Sequence, residues 1–283
     1  MLSRLRAAAG ALFGPPPPPT SAYLGDHTAL TTLEGRMMMF VDTRDNDVAP
    51  SLLLRGLWEP EATSLFKRLI RPGATVLDIG ANQGVYTLLA ARAVGPTGRV
   101  HAFEPNRRYC ELIERSLAVN GFKAQTSIHN LALGETAGET ELVFSWAWGG
   151  GAHLAVEAMA AVPERERQPC RIAALDEMFA DPGFTVDVIK MDIEGAEARA
   201  LRGMWRLLER SPEVRVIFEF APELLALHGV GAAEMIHLLR ELGFHFWSIG
   251  GASRLTAISA ESLAEATDGL RNMLAARGTP VPG

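Results

Sequence analysis

From Thr75 onward, short continuous apolar runs alternate with longer stretches in which apolar residues recur at helical spacing. TVLDIG (75–80) leads into the small-residue segment VYTLLAARAVG (85–95). RVHAFEP (99–105) leads into a segment that places Tyr109, Leu112, Ile113 and Leu117 on one helical face, and QTSIHNLAL (125–133) closes the section. Strand, helix, strand, helix, strand predicts an α/β fold, an open and mostly parallel sheet with helices on both faces. The alternation resumes with TVDVIKMDIEG (185–195), the helix AEARALRGMWRLLE (196–209), the strand EVRVIFEF (213–220), a helix with Met235, Ile236, Leu238, Leu239 and Leu242 facing the core, and the strand FHFWSIG (244–250).

Two regions break the alternation. Residues 137–176 hold ETELVFSW, a glycine patch WAWGGGAHL, the charged stretch PERERQ and CRIAALDEM, which together predict an inserted pair of strands joined by a mobile loop over one end of the sheet. Before the alternating region, residues 28–54 predict two short strands around the polar turn DTRDND, and Glu59 to Ile70 predicts a helix stopped by Arg71-Pro72-Gly73. The chain therefore divides into a Pro-rich arm (1–20), a β extension (21–56) and one catalytic-sized domain (57–283) carrying the insertion. The arm, with two arginines, a short apolar stretch and the block Pro15 to Pro19, is expected to be a short helix and a stiff polyproline spacer and not a signal peptide.

Composition narrows the function only by exclusion. With 48% hydrophobic residues the bulk of the chain is not disordered, and 27 Lys+Arg against 33 Asp+Glu argue against a nucleic-acid binder that neutralises many phosphates. Cys110 and Cys170 are too few for a disulfide framework and too isolated for zinc, so both are expected to be reduced. No apolar run is long enough to span a membrane, and a cytoplasmic location is expected. A homodimer is compatible with the sequence.

Ligands of open parallel sheets bind beyond the carboxyl ends of the strands. The apolar runs end in Asp78, Glu104, Asn130, Asp192 and Glu219, and such a rim of acids facing one crevice is repulsive unless a cation joins it. The turn Asp78-Ile79-Gly80-Ala81-Asn82-Gln83-Gly84 is glycine-containing, but its DxGxxxG spacing and its acid do not suit a pyrophosphate. Glu104, ending the second strand, is placed to accept hydrogen bonds from ribose hydroxyls. A nucleoside with a positive charge and no phosphate describes S-adenosylmethionine.

VLDIGANQGVYTLLAA, HAFEPN, NLALGE, DVIKMDIEGAEARALRG and VIFEFAPELL together resemble the FkbM-type methyltransferases, over roughly Leu57 to Gly250, with KMDIEGAE the most specific block. The resemblance implies a class I, Rossmann-like, S-adenosylmethionine-dependent methyltransferase acting on hydroxyls of saccharide or natural-product acceptors. It places the methionine portion in the turn of Asp78, Gly80, Ala81, Asn82 and Gly84, the ribose on Glu104, and the adenine between Asn130 and Leu133.

Transfer to an alcohol needs a general base at the ends of the fourth and fifth strands. Asp192 is the first candidate, weighed against a helix-capping role, and Lys190 is expected to pair with it or orient the acceptor. Glu194 and Glu197 open the following helix, with Glu197 the more structural of the two. Glu219 with Asp192 could hold a divalent cation through oxygen, though two carboxylates make a thin site. His228 and His153 could reach the acceptor or simply be satisfied side chains. Trp146 and Trp148 could stack on a sugar or planar ring or pack the insertion. The alternatives are N-methylation of a small amine, which needs a base less, a nicotinamide oxidoreductase on the same fold, which the DxGxxxG turn disfavours, a non-catalytic partner subunit, and RNA methylation, for which no basic stripe is present.

Overall fold

The computed structural model describes residues 19–155 and 165–281, the side chains of residues 148–150 excepted. The expected arm lies outside the described residues apart from its last two positions. The β extension is a three-stranded antiparallel sheet of β1 (Ala22–Gly25), β2 (Thr28–Leu33) and β3 (Met37–Asp42), in that order. Its hairpin turn is at Glu34-Gly35-Arg36, where φ is 51° at Glu34 and 60° at Gly35, the left-handed pair that a tight hairpin requires.

DTRDND does not join two strands, contrary to the reading of its polarity. A helix, α1 (Val48–Arg55), follows it. The Asp45 carboxylate accepts the backbone N–H groups of Asp47 (2.8 Å), Val48 and Ala49 (3.2 Å each), which are donors that the first turn of a helix otherwise leaves unpaired. An acidic run that resembles a turn is here a helix cap.

α2 (Pro60–Leu69), β4 (Thr75–Ile79), α3 (Val85–Val94), β5 (Arg99–Phe103), α4 (Arg107–Asn120) and β6 (Thr126–His129) follow the alternation closely. The Asn106 side chain caps α4 by accepting the Arg108 N–H at 3.0 Å. The extension is fastened to this helix. Ser116 Oγ accepts the Phe40 N–H at 2.9 Å, and the Asn120 amide exchanges hydrogen bonds with the Met38 backbone at 3.0 and 2.6 Å.

The insertion contributes three strands, not the expected pair: β8 (Gly138–Ser145), β9 (Trp148–Leu154) and β10 (Glu166–Ala173). They join β7 (Ala132–Leu133) in a separate sheet of order β7-β10-β8-β9. The expected loop between β9 and β10 lies largely outside the described residues.

The remaining elements are α5 (Leu175–Met178), β11 (Val188–Met191), α6 (Glu197–Gly203), α7 (Trp205–Glu209), β12 (Arg215–Phe220), α8 (Pro222–Leu227), α9 (Ala232–Glu241), β13 (His245–Gly250), β14 (Arg254–Ile258), α10 (Ala260–Ala264) and β15 (Arg271–Ala276). The main sheet has eight strands in the order β14-β13-β15-β12-β11-β4-β5-β6, parallel from β12 to β6. β15 runs antiparallel between β12 and β13.

Apolar cores cover both faces of this sheet. One gathers Leu65, Phe66, Leu88, Val94, Ile113 and Leu117 from α2, α3 and α4. The other gathers Leu201, Leu207, Leu225, Met235 and Leu239 from α6 to α9. β11 is buried at every position, which is why VIKM reads as a continuous apolar run interrupted only by a lysine. Among the described residues no helix is long and apolar enough to cross a membrane.

Where α6 meets the loop after β7, a Cβ on Gly203 would fall 1.9 Å from the Gly134 carbonyl oxygen. Gly203→Ala is therefore expected to destabilise the protein by about 1–3 kcal/mol, read as a lower urea midpoint. An unchanged midpoint would show that the two backbones separate freely.

Candidate active site

A cavity of about 500 Å³ opens at the carboxyl ends of β4, β5, β11 and β12, where the strand order reverses. A doubly wound sheet presents a crevice at that point because successive connections leave in opposite directions.

The turn after β4 forms one wall. The N–H groups of Gly80 and Ala81 both donate to the Phe103 carbonyl at 3.0 Å, and the Asp192 N–H donates to the Ile79 carbonyl at 3.0 Å. Gly80 has φ 80° and lies so close to β11 that a Cβ would stand 1.9 Å from the Asp192 carbonyl oxygen. Only glycine serves there. Gly80, Ala81 and Asn82 line the cavity, whereas Gly84 packs on Ile113 of α4.

Asp78 sits beneath the turn and not on the wall. Its carboxylate, 1% exposed, accepts the Thr87 hydroxyl at 2.5 Å. Burial pushes its carboxyl up to about 6, against the Thr87 hydrogen bond and the Lys190 charge.

Glu104 faces the cavity from the end of β5, held from both sides. Oε2 accepts the Asn82 N–H and Oε1 the Asn106 N–H, each at 2.7 Å. Each oxygen keeps a lone pair for a ligand. Burial raises its carboxyl to about 7, partly offset by those two amides.

Asn130 does not reach the wall. Its amide donates to the Glu104 and Pro105 carbonyls at 3.0 and 2.8 Å, which holds the loop behind Glu104. Leu133 does line the cavity, with Phe103, Pro105, Leu131 and Leu142 completing an apolar slot.

The opposite end is acidic. Asp192, Glu194 and Glu219 each place a carboxylate oxygen within 4.8 Å of the others, a spacing that would admit a cation. Lys190 Nζ lies 3.0 Å from Asp192 Oδ2 and competes for the same charge. Burial pushes Glu219 up to about 9 and Glu194 up to about 8, and in both the Asp192 carboxylate adds to the shift. At neutral pH these two glutamates hold protons. Burial works against the Lys190 ammonium, but the Asp192 charge, the Glu59 charge and the Asp192 hydrogen bond outweigh it and its pKa is raised. Glu197 turns away from the cavity and accepts the Ile193 N–H at 3.0 Å.

The structure divides the remaining candidates. His153 lines the cavity, and its ring contacts the Arg165 guanidinium at 3.0 Å. His228 is buried behind Gly195, whose Cβ would stand 2.7 Å from its Cδ2. Burial and the Arg199 charge lower the His228 ring to about 4, so it is neutral and outside the cavity lining. Trp146 is also outside that lining. It packs edge-on to Phe144, with the Arg44 guanidinium 3.5 Å above its ring. The Trp148 side chain lies outside the described residues.

Several wall residues were missed by the strand-end argument: Asp47, Val48, Trp58 and Glu59 come from the β extension and the start of α2, and Tyr86 from α3. The only sequence signal among them is the acidic run DTRDND, which contains Asp47 and whose polarity suits a turn as well as a helix start. Its capping residue Asp45 also accepts Gln83 Nε2 of the glycine turn at 2.6 Å, and this bond brings the extension to the site.

Residues 78–246 match the family described as the methyltransferase FkbM domain. No curated protein matches the chain. Among solved structures, the chain is similar to an O-methyltransferase of tomaymycin synthesis from Streptomyces achromogenes, in complex with S-adenosylmethionine (18% identity, 80% of this chain and 82% of that one, TM-score 0.43). It is also similar to a S-adenosylmethionine-dependent O-methyltransferase from Thermotoga maritima (12% identity, 96% and 89%, TM-score 0.42). A third is a precorrin-6y C5,15-methyltransferase from Geobacter metallireducens GS-15 (14% identity, 78% and 88%, TM-score 0.41).

The raised carboxyls make stability depend on pH. Glu194, Glu197, Glu219 and Glu104 all ionise at higher pH in the fold than the ordinary glutamate value of 4.5, so folding takes up protons between the two values. Their contribution is complete below about pH 4.5 and is lost as pH rises toward about 9. Below about pH 6.5 the buried histidines, whose pKa values are lowered, act in the opposite sense, so the melting temperature is expected to fall between about pH 7 and 9, and Glu219→Gln to flatten the decline. A parallel slope in wild type and variant would overturn the assignment of the shift to Glu219.

Proposed function

The chain belongs to the FkbM methyltransferase family, and from that premise we propose that it transfers a methyl group from S-adenosylmethionine to a hydroxyl of a saccharide or natural-product acceptor. The observation that carries this reading is the division of one cavity into a nucleoside-shaped end and an acidic end. Its volume of about 500 Å³ falls within the roughly 300–1,000 Å³ of small-molecule sites.

The residues fit the donor. Glu104 offers an acceptor lone pair on each oxygen for the two ribose hydroxyls, and Phe103, Leu131 and Leu133 give an apolar slot for adenine. The bare backbone of Gly80 lets the methionine portion approach. The Asp192 carboxylate suits a sulfonium, and Lys190 is already paired. When bound, S-adenosylmethionine supplies a methyl activated for in-line displacement.

The protein's task is then alignment and proton removal. Asp192, at the end of β11 and facing the cavity, accepts the acceptor's hydroxyl proton. Lys190 fixes the orientation of that carboxylate. Glu194 and Glu219, protonated at neutral pH, donate hydrogen bonds to acceptor oxygens. Asp78 and Asn130 support the cofactor end from behind the wall.

The clustering of Asp192, Glu194 and Glu219 within 4.8 Å favours one second reading, an amine acceptor that attacks as the neutral amine and gives up its proton to solvent after transfer. Asp192→Asn separates the two. On the hydroxyl reading it lowers turnover by about 10²–10⁴-fold with S-adenosylmethionine affinity unchanged, whereas an amine acceptor loses little.

For the donor, Glu104→Gln is expected to weaken S-adenosylmethionine binding by about 1.5–3 kcal/mol, the scale of a hydrogen bond to a charged group, measured by calorimetry. Affinity equal to wild type would remove Glu104 from the site. Incubation with methyl-labelled S-adenosylmethionine and a mixture of monosaccharides and methyl glycosides, followed by identification of the labelled product, tests the acceptor class.

A further inference from the structure

Two side chains outside residues 78–246 gather around Lys190: Asn272 on β15 contacts it directly, and Glu59 before α2, which lines the cavity, acts on it through Asn272 and through its own charge. That lysine stands on the central strand of the sheet with 1% of its surface exposed, and it is one of only three in the chain, with Lys67 and Lys123. An ammonium in such a place has three donors to satisfy, and leaving it unpaired is costly.

Asp192 satisfies one. Asn272 Oδ1 stands 3.4 Å from Nζ, and the face of the Tyr86 ring lies 5.0 Å from it. The other half of the Asn272 amide donates to Glu59 Oε1, and the Tyr86 hydroxyl donates to Glu59 Oε2 at 2.7 Å. Lysine, asparagine, glutamate and tyrosine thereby close a ring. The orientation of Asn272 is determined by its neighbours, because only its oxygen can face an ammonium and only its NH₂ can face a carboxylate.

Glu59 holds its place in this ring at φ 42°. A non-glycine residue stays in the left-handed region only where its surroundings over-determine it. Burial, followed by the Glu59 charge and its hydrogen bond, keeps the Tyr86 phenol protonated, so Tyr86 remains a donor to Glu59.

We propose that Glu59 and Asn272 are positioning residues for methyl transfer: with Tyr86 they fix the Lys190 ammonium, and through it the Asp192 carboxylate, at the acceptor end of the cavity. The last link rests on the reading of Asp192 given above, whereas the ring itself does not.

The three lysines make the test direct. In protein labelled with ¹⁵N-lysine, Lys67→Arg and Lys123→Arg assign the Nζ signals, and the Lys190 ammonium protons are expected to exchange slowly. The isosteric Glu59→Gln, and Asn272→Ala as an independent variant, should each speed that exchange by about tenfold, with Lys123 unaffected. Melting curves and S-adenosylmethionine affinity check that each variant is folded. With the labelled saccharide mixture, kcat should fall while the KM for S-adenosylmethionine stays constant.

Unchanged Lys190 exchange in both folded variants overturns the proposal. Faster exchange with unchanged kcat overturns the positioning role. A wild-type protein that methylates nothing in the mixture counts against the hydroxyl reading, and the exchange rates still decide the ring.

Discussion

A lysine charged in the middle of a parallel sheet constrains everything around it. Lys190 cannot reach bulk water from β11, so partners have to be brought to it, and each comes from a different part of the chain. Asp192 follows on the same strand, Tyr86 from the helix after β4, Asn272 from the last strand and Glu59 from the segment ahead of the domain. Desolvation opposes the ammonium and several carboxylates together outweigh it. The same carboxylates crowd one another, and Glu219 and Glu194 respond by keeping their protons. Burial and the Asp192 charge raise those two glutamates against the pull of the lysine, so a single cavity holds an unequal set of acids, one paired with the lysine and two protonated. This is the arrangement in which neighbouring carboxyls can take different roles.

The two ends of the cavity are built differently. The end at the glycine turn is local: the turn after β4, the end of β5 and the strand β7 lie within 60 residues of one another in the sequence, from Ile79 to Leu133, and backbone amides hold Glu104 from both sides. The acidic end is assembled from distant segments, and the contact between Asn272 and Glu59 spans 213 residues. The β extension takes part in both. It is fastened to α4 through Ser116 and Asn120, and it meets the glycine turn through Gln83, which accepts the Asp42 N–H at 2.7 Å and donates to Asp45.

This division also explains what could be read before the structure. The strands and helices from β4 to α4 were legible because their periods are regular and their ends carry glycine and proline. Asp192, Glu219 and Glu104 follow from one rule about strand ends, Glu194 from the acids that open the next helix and Leu133 from the family resemblance, and all five line the cavity. The rule identifies the rim but does not say which way each side chain turns. Asp78 and Asn130 end strands and face inward to the fold, while Trp146 is occupied by Arg44. The cap formed by Asp45 was hidden because the same acidic residues favour turns and helix starts. β15 was hidden because its four buried residues, Met273 to Ala276, sit in a run too short to distinguish from a helix end. Glu59 and Asn272 carry no local signal, since their importance lies in a partner far away in the chain.

The place of β15 has a consequence for the order of assembly. β12 and β13 succeed each other among the strands in the sequence but are separated in the sheet by β15, which is made later and pairs with both. During synthesis, while residues 271–276 are still inside the ribosome, β12 and β13 face a gap one strand wide. In that interval Lys190 lacks Asn272, and Glu59 lacks one of its two donors. A chain released before this strand would contain every residue of the matched domain and still lack a closed sheet. The arrival of β15 thus fills the gap between β12 and β13 and completes the shell around the buried ammonium in one event.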